Sequence, residues 1–356
     1  MGCNSVELFK LLFVIKMNYI NEINKNKRVL FRADAKPSIG IGDLMSLIYL
    51  SHYFEAESWE CYFIIKNYSA GVQLAKKYGI RNIKILDIYV SIAEEVRAIN
   101  DFVQKQKIKL LFFEITERKI TEYKGLTNNV FKACVSFDGQ ILPDMDLVVD
   151  WDVEAHKFFK PEHFPKTKFL LGPKYVILPF NFDYDRISNR KYRFPPEILL
   201  ISMGGADEFN FTQKIVDILI KIKTKMKINI IVGSGYEHRK KLDESLKGSN
   251  LHYEIKQNIS NMFEEYMNCD IAVAAGGLTA SELVASRTPS VLIATYEHQV
   301  ARCRYFCEQG WVSYLGFKKF EESALYNSIY YSREKPSNKK LFNTKKIVEI
   351  CNGLFL

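Results

Sequence analysis

The sequence predicts an α/β fold made of two halves, each with a doubly wound parallel sheet. Short apolar runs alternate with amphipathic stretches of helical length from residue 28 onwards, a pattern that is typical of strands alternating with helices. A segment at residues 175–196 interrupts this alternation, because it is rich in Pro, Asn and charge and has no period. The chain of 356 residues is also long for one compact domain and sufficient for two.

The elements of the first half follow from runs of β-branched, aromatic and aliphatic residues and from apolar residues spaced three and four apart. Strands are predicted at 29–33, 61–65, 83–86, 110–115, 135–137, 147–150 and 169–171, and helices at 44–54, 70–78, 92–106 and around 130–132. Alternating elements of this size indicate strands that lie parallel, with helices covering the sheet.

The second half repeats the pattern from residue 198. Strands are predicted at 199–203, 228–232, 251–255, 271–275 and 290–294, with helices between them. The predicted organisation is an N-terminal extension at 1–27, a first domain at 28–180, a linker at 181–196, a second domain at 197–335 and a C-terminal helix at 336–356. Ligands of open parallel sheets bind at the carboxyl ends of the strands, so we expect the site in a cleft between the halves.

Composition narrows the class of protein. The net charge of +9 favours anionic ligands, but Lys and Arg are spread along the whole chain, which argues against a nucleic-acid partner. The apolar stretch at residues 6–17 is too short to span a bilayer, so we expect at most peripheral membrane contact. Seven scattered cysteines without a Cys-x-x-Cys pair or a metal-ligand cluster indicate a cytoplasmic protein without a metal cofactor.

The stretch at residues 271–294 has the pattern of a strand, a glycine turn, a helix and a second strand. Gly276 and Gly277 let the backbone turn sharply, and a helix opens at Thr279. A helix N-terminus presents free N–H groups to an anion, and Glu282 lies one turn further on, where a carboxylate can bind a ribose. Phosphate and ribose together indicate a nucleotide. Alternatively, the turn is only structural and Glu282 is a solvated helix residue.

A second glycine turn lies in the same half of the chain, at Gly204 and Gly205. It also follows a predicted strand, at 199–203, and precedes a predicted helix at 209–223. Two turns of this kind can face one ligand, so the second turn strengthens the prediction of a nucleotide site.

Five segments in this order resemble the hydrolase of the pseudaminic acid pathway, which removes UDP from a 2,4-diacetamido-trideoxy-altrose nucleotide sugar. The segments are Val29-Leu-Phe-Arg-Ala-Asp34, Ile39-Gly-Ile-Gly42, Leu171-Gly-Pro-Lys-Tyr-Val-Ile-Leu178, Ser202-Met-Gly-Gly-Ala-Asp207 and the stretch from Gly276 to Gln299. The resemblance covers about residues 28–316. It extends to the wider GT-B group of nucleotide-sugar glycosyltransferases, whose two Rossmann-like domains have parallel sheets facing across a cleft.

The resemblance places the nucleotide in the second half of the chain. It implies that the diphosphate lies along the two glycine turns, that Glu282 binds the ribose and that the backbone around Asn258 and Ile259 binds the uracil. The implied binding residues are Gly204, Gly205, Asn258, Ile259, Gly276, Gly277, Leu278, Thr279 and Glu282, with His298 and Gln299 as sugar or phosphate contacts. The UDP-sugar is then the substrate, and no cofactor is implied.

The first half departs from the family pattern where the chemistry would lie. The family turn is Gly-x-Gly-His, with the His as the base that activates water, but the fourth position here is Asp43 and the later Arg is Ser46. The family's Asp-His-Tyr appears as Glu114-Ile-Thr. Asp43 and Glu114 are therefore the candidate catalytic residues, although aspartate is a weaker base than histidine and is also a favoured helix N-cap. The nearby Arg32 and Asp34 are either a structural ion pair or substrate contacts.

The leading hypothesis is a nucleotide-sugar hydrolase of pseudaminic-type acid or surface-glycan biosynthesis, which cleaves the anomeric C–O bond of a UDP-sugar with water and releases UDP. The alternative is an inverting GT-B glycosyltransferase that passes the sugar to a glycan or lipid-linked acceptor. The loss of the family's His favours this alternative, whereas the matching segments favour the hydrolase. A nucleotide-sugar binder without turnover is the third hypothesis.

Overall fold

The computed structural model forms two compact units. The residues that it describes are 27–35, 41–114, 123, 125–136, 139, 141, 144–182, 184–233, 235–257, 259, 261–331 and 341–353. The first unit runs to Trp151 and adds Ala155–Leu171 and the C-terminal segment from Thr344, whereas the second holds Asp152–Glu154 and Gly172–Asn343. The boundary thus falls after Leu171 rather than after residue 180, and the predicted linker at 181–196 lies inside the second unit. Residues 1–26 of the predicted extension at 1–27 lie outside the described residues.

The first unit is built on a seven-stranded parallel sheet. Its strands are β1 Arg28–Arg32, β2 Glu60–Lys66, β3 Ile83–Leu86, β4 Leu110–Glu114, β5 Phe131–Val135, β6 Leu147–Asp150 and β7 Lys168–Leu171. They lie in the order β3-β2-β1-β4-β5-β6-β7. The central strands β1 and β4 are buried on both faces, which explains why their sequences are continuous apolar runs rather than alternating ones.

Three helices of the first unit correspond to the stretches predicted at 44–54, 70–78 and 92–106, and a fourth, short helix was not predicted. They are α1 Gly42–Ala56, α2 Ser69–Lys77, α3 Ile92–Gln106 and the short α4 Ala155–Phe158. The start of helix α3 is determined by local sequence. The Ser91 hydroxyl oxygen accepts the N–H of Glu94, and the Glu94 carboxylate accepts the N–H of Ser91 in return. Lys107 then ends the helix in the left-handed conformation.

The predicted helix around 130–132 is wrong, because these residues begin strand β5. The strand occupies Phe131–Val135 and pairs with β4 on one side and β6 on the other, so the strand predicted at 135–137 begins too late. A short apolar run buried between two strands carries no helical or alternating period, and its pairing with both neighbours decides its conformation.

The second unit contains a six-stranded parallel sheet. Its strands are β8 Ile198–Ser202, β9 Lys227–Val232, β10 His252–Gln257, β11 Ile271–Ala275, β12 Ser290–Ala294 and β13 Ser313–Phe317. They lie in the order β10-β9-β8-β11-β12-β13. Strand β13 was absent from the predicted strands; it pairs with β12 at the edge of the sheet, where all five of its residues are only partly buried.

The helices of the second unit connect these strands. They are α5 Tyr184–Ser188, α6 Phe211–Lys221, α7 Arg239–Lys247, α8 Met262–Met267, α9 Leu278–Ala285, α10 Val300–Glu308 and α11 Glu322–Tyr331. A further helix, α12 Lys345–Asn352, returns to the first unit. Its apolar face is buried, and Trp59 donates a hydrogen bond of 2.7 Å from its indole N–H to Asn352 Oδ1, which ties α12 to the start of β2.

Candidate functional site

Both predicted glycine turns lie where the strand order of the second sheet reverses. From β8 the chain first adds β9 and β10 on one side, and it then returns to add β11, β12 and β13 on the other. Strands β8 and β11 are paired neighbours, so the loops at their carboxyl ends meet at one point of the sheet edge. Gly204 and Gly205 follow β8, and Gly276 and Gly277 follow β11. Open α/β sheets bind their ligands at such a reversal of strand order.

The turn after β11 opens a helix whose first amides are available. Gly277 is the N-cap residue of α9 and, as a glycine, has no side chain that could cap the helix. The N–H of Gly276 donates to Ile293 O and that of Ala280 to Gly277 O, both at 3.1 Å. Among the described residues, the N–H groups of Gly277, Leu278 and Thr279 have no acceptor. Free amides at the positive end of a helix dipole form an anion site.

The N-terminus of α6, the helix after the other glycine turn, is capped by the side chain of Asp207. Asp207 accepts the N–H of Phe211 on Oδ1 and that of Thr212 on Oδ2, each at 2.8 Å, and so caps α6. Burial raises the pKa of the Asp207 carboxyl, and these hydrogen bonds partly counteract that effect. Gly204, at φ 92°, and Gly205 have open space where a side chain would stand. The turn at Gly204 and Gly205 can therefore contact a ligand through its backbone. The helix whose N-terminal amides are available to the ligand is α9.

A third glycine loop supports this arrangement, and the sequence interpretation missed it. Gly233 follows β9, and a Cβ atom at Gly233 would overlap the backbone of Gly205. The N–H of Gly235 donates to Gly205 O at 3.2 Å. The Gly-x-Gly pattern directly after a strand was the available signal. Gly233 allows the two loops to approach, so it positions the turn that carries Gly205.

Gln299 lies against the glycine turn after β11. It ends the short 3₁₀ helix Glu297–Gln299 that follows β12. The Gln299 Oε1 atom accepts the N–H of Thr295 at 2.9 Å and its hydroxyl at 3.1 Å. Because the backbone N–H of Thr295 can only donate, the amide atom facing it must be the oxygen Oε1. The nitrogen Nε2 therefore faces away from Thr295, 3.6 Å from the position that a Cβ on Gly277 would take. The amide N–H₂ is thus a second donor beside the α9 amides.

Glu282 is buried, so the alternative that makes it a solvated helix residue is wrong. Its side chain is on α9, and the residue is 5% exposed. The hydroxyl of Tyr266 donates to Glu282 Oε2 at 2.5 Å, and among the described side chains it is the one that hydrogen-bonds this carboxyl. Burial raises the pKa of Glu282 to about 7, although the Tyr266 hydrogen bond acts in the opposite direction. A carboxylate with one oxygen left for a ligand suits the two hydroxyls of a ribose.

We expect Glu282→Gln to remove a pH dependence of stability. The unfolded chain releases this proton near its ordinary pKa of 4.5, whereas the folded protein keeps it until about 7. The free energy of unfolding therefore falls by about 1.4 kcal/mol per pH unit between these values, about 3.5 kcal/mol in all, and is level above them. Urea unfolding at pH 5 and pH 8 measures it: the variant gains stability over the wild type at pH 8 and little at pH 5. Parallel pH profiles would refute the assignment.

Asp43 lies inside the first turn of α1, so the interpretation of Asp43 as helix N-cap is wrong. The N-cap is Ile41, and the helix begins at Gly42. Glu114 ends β4 and is 1% exposed. Strands β1 and β4 are paired where the strand order of the first sheet reverses; Glu114 is the last residue of β4, and Asp43 belongs to the helix that follows β1. Residues 36–40 and 115–122, which follow these strands in the chain, lie outside the described part of it.

Arg32 and Asp34 form a structural ion pair. Arg32 is fully buried and donates to both Asp34 oxygens, from Nη1 at 2.6 Å and from Nη2 at 2.8 Å. Its Nε donates to Glu95 at 2.8 Å, and the hydroxyl of Tyr123 donates to the same carboxyl at 2.6 Å. Burial lowers the pKa of Arg32, but the charges of Asp34 and Glu95 outweigh it and raise the pKa above its ordinary value. The pair holds the loop after β1 rather than presenting a free charge.

The remaining predicted contacts are only partly described. Ile259, in the loop after β10, is half-buried, and Asn258 lies outside the described residues. His298 is exposed and stacks on Tyr296. Within the described ranges no three His, Cys, Asp or Glu side chains gather as metal ligands. No helix in that part of the chain is both long and apolar enough to cross a membrane.

Part of the chain matches the model of a glycosyltransferase family domain. Residues 199–350 match the model of the Glycosyltransferase family 28 C-terminal domain. Among curated proteins, an uncharacterized protein of Methanocaldococcus jannaschii is 26% identical over 231 residues, which is 63% of this chain and 43% of that protein. This chain therefore spans less than half of that relative's length.

Two further curated relatives carry names that state a function. The spore coat polysaccharide biosynthesis protein SpsG of Bacillus subtilis is 22% identical over 63% of this chain and 67% of its own length. A Helicobacter pylori protein named as pseudaminic acid cytidylyltransferase and UDP-2,4-diacetamido-2,4,6-trideoxy-β-L-altropyranose hydrolase is 24% identical over 46% of this chain and 29% of its own.

Solved structures confirm the predicted fold class. MurG of Acinetobacter baumannii has a TM-score of 0.63 at 12% identity, covering 92% of this chain and 99% of MurG. The UDP-GlcNAc 2-epimerase of Methanocaldococcus jannaschii has a TM-score of 0.60 at 14% identity, with the same coverage of both chains. At these identities the likeness concerns the fold, which is GT-B: two α/β units with parallel sheets.

Proposed function

We propose that this protein is an enzyme that binds a UDP-sugar and cleaves its anomeric C–O bond with release of UDP, as a nucleotide-sugar hydrolase. One observation carries the proposal: at the strand-order reversal of the second sheet, α9 presents the free amides of Gly277, Leu278 and Thr279, and Glu282 lies buried one turn behind them. An anion site followed by a carboxylate suits a diphosphate joined to a ribose. The names of the Helicobacter relative and of the epimerase concern UDP-sugars, which supports this ligand class.

The main requirement of this reaction is stabilisation of the leaving group. The departing diphosphate gains negative charge as the C–O bond breaks, and fixed donors aimed at that charge lower the barrier. The α9 amides and the Gln299 amide are such donors, held in place before the ligand arrives. UDP binding and leaving-group stabilisation therefore follow from the same atoms.

Asp43 remains the proposed base, and Glu114 the second acidic candidate. Asp43 lies in the first turn of α1, and its carboxylate is a group that can accept a proton. In hydrolysis it would take the proton of water, and the oxygen of that water would form the new bond to the anomeric carbon as UDP departs with the electron pair.

A glycosyltransferase is the second candidate. The match of residues 199–350 to a glycosyltransferase family domain favours it, and the donor side would be used in the same way. The acceptor would then be a hydroxyl of a glycan or of a lipid-linked saccharide. The six described cysteines are free thiols, which supports a reducing compartment such as the cytoplasm for either reaction.

One assay distinguishes the candidates. The protein is incubated with UDP-sugars, with and without glycan acceptors, and both UDP and free sugar are followed. UDP together with free sugar in the absence of acceptor supports the hydrolase, and acceptor-dependent release of UDP supports the transferase. UDP binding without release from any sugar would contradict both.

We expect Asp43→Asn to lower turnover by about a hundredfold or more, because an amide cannot accept the proton, and to leave UDP affinity unchanged. Initial rates and calorimetric titration with UDP measure the two quantities. Glu55→Gln is the matched control, because it removes an exposed carboxylate from the other end of the same helix. Full activity of the Asp43 variant would exclude Asp43 as the base.

A further inference from the structure

A buried arginine lies directly behind the glycine turn after β11. Arg302 is on α10 and is only 7% exposed, although arginine side chains are rarely buried. Its Nη1 atom donates to the carbonyl oxygen of Gly276 at 3.5 Å, in a long hydrogen bond between residues that are 26 positions apart. Because this contact is buried, the positive charge of the guanidinium acts on the carbonyl group with little screening by water.

Further contacts fix the residue that Arg302 binds. The N–H of Gly276 donates to Ile293 O of β12 at 3.1 Å. Cys303 Sγ and Gln299 Cβ occupy the space that a side chain on Gly276 would need. The N–H and the C=O of Gly276 are therefore both hydrogen-bonded, and the turn is packed closely from behind.

The carbonyl group that Arg302 binds shares one peptide unit with the N–H group of Gly277. A peptide unit is planar, and in its trans form the C=O and the N–H point in opposite directions. The unit between Gly276 and Gly277 is trans. The hydrogen bond from Arg302 to Gly276 O thus directs the Gly277 N–H away from the guanidinium, and among the described residues this N–H has no acceptor.

We propose that Arg302 is a positioning residue for the leaving group: it fixes and polarises the peptide unit between Gly276 and Gly277, so that the Gly277 N–H donates to the diphosphate. This inference rests on the proposed UDP-sugar site. A cation bound to the C=O of a peptide unit draws electron density from it, which makes the N–H of the same unit a stronger donor. A donor that is fixed before the ligand binds stabilises the charge of a departing group without first having to reorient. Arg302 acts through this peptide unit rather than by contact with the ligand.

The test compares UDP with uridine, which lacks the phosphates. Calorimetric titration measures the affinity for UDP, and NMR titration measures the affinity for uridine. We expect Arg302→Met to lower the affinity for UDP about tenfold and to leave that for uridine unchanged, because the variant weakens one donor to a charged phosphate. A general disturbance of the second unit would instead lower both affinities. Arg302→Lys keeps a cation that can donate to Gly276 O, and it is expected to lose less UDP affinity than Arg302→Met.

The control is Arg304→Met, which removes an exposed arginine from the same helix. It is expected to leave both affinities unchanged. Urea unfolding shows whether each variant is folded, and Arg302→Gln, which also removes the cation, replaces Arg302→Met if the latter does not fold.

Two results would overturn the role of Arg302 and leave the UDP site standing. One is a folded variant without the cation that keeps the wild-type ratio of UDP affinity to uridine affinity. The other is a loss of UDP affinity in Arg302→Lys as large as that in Arg302→Met. Absence of UDP binding in the wild type refutes the proposed function itself, and the role of Arg302 with it.

Discussion

Gly276→Ala is expected to abolish UDP binding and to destabilise the second unit. A Cβ atom at this position would overlap Cys303 Sγ and stand 3.0 Å from Gln299 Cβ, both of which are buried behind the turn. The turn must then move away from α10, and the α9 amides move with it. Calorimetric titration with UDP and urea unfolding measure the two effects. Removal of the sulfur in the double variant Gly276→Ala/Cys303→Ala is expected to restore part of the stability.

Gly277→Ala is the matched comparison, because the two glycines are neighbours with opposite surroundings. At Gly277 a Cβ would meet only Gln299 Nε2, at 3.6 Å, which is an ordinary contact. We expect this variant to fold like the wild type and to lose UDP affinity by about tenfold or more, because the methyl group lies against Gln299 Nε2, one of the proposed phosphate donors. Unchanged affinity for UDP in a folded Gly277→Ala protein would contradict the placement of the diphosphate.

Arg32→Met is expected to destabilise the first unit by about 3–5 kcal/mol. The substitution removes the buried cation that binds both Asp34 and Glu95. Lys66 Nζ, 3.7 Å from Glu95, is too distant to replace its two-carboxylate contacts, and loss of one partner of a buried ion pair is strongly destabilising. Urea unfolding measures the change, with UDP titration as an independent readout of the second unit, which is expected to stay unaltered.

The control for Arg32 is Arg193→Met. Arg193 also bonds two carboxylates, Asp270 at 3.0 Å and Glu197 at 2.6 Å, but its side chain is exposed. Water screens the exposed Arg193 charge, and the Asp270 carboxylate keeps its hydrogen bonds from the N–H groups of Glu197 and Ile198, so we expect little change in stability. Equal losses in both variants would show that burial does not govern the contribution of the Arg32 network.

The sequence was sufficient for the features that rest on local pattern. Continuous apolar runs predicted the buried parallel strands, and glycine pairs after β8 and β11 predicted the two turns. Their meeting at one sheet edge followed from the general order of doubly wound sheets. The start of strand β5 was predicted too late and the edge strand β13 was not predicted, because a short run without a period takes its conformation from the strands beside it.

The parts of the site that could not be predicted depend on contacts between distant residues. Tyr266 and Glu282 are sixteen positions apart, and Arg32 and Glu95 are sixty-three apart. The close approach of Gly233 to Gly205 joins loops after two different strands. No sequence period encodes such contacts, and they decide which carboxyl group is buried and which loop supports another.

The most direct test of the UDP site is a crystal structure of the protein grown with UDP. We expect phosphate oxygens within hydrogen-bond distance of the N–H groups of Gly277, Leu278 and Thr279, and ribose hydroxyls on the carboxyl group of Glu282. A diphosphate bound at the start of α6, where Asp207 already caps the helix, or anywhere in the first unit would contradict the assignment.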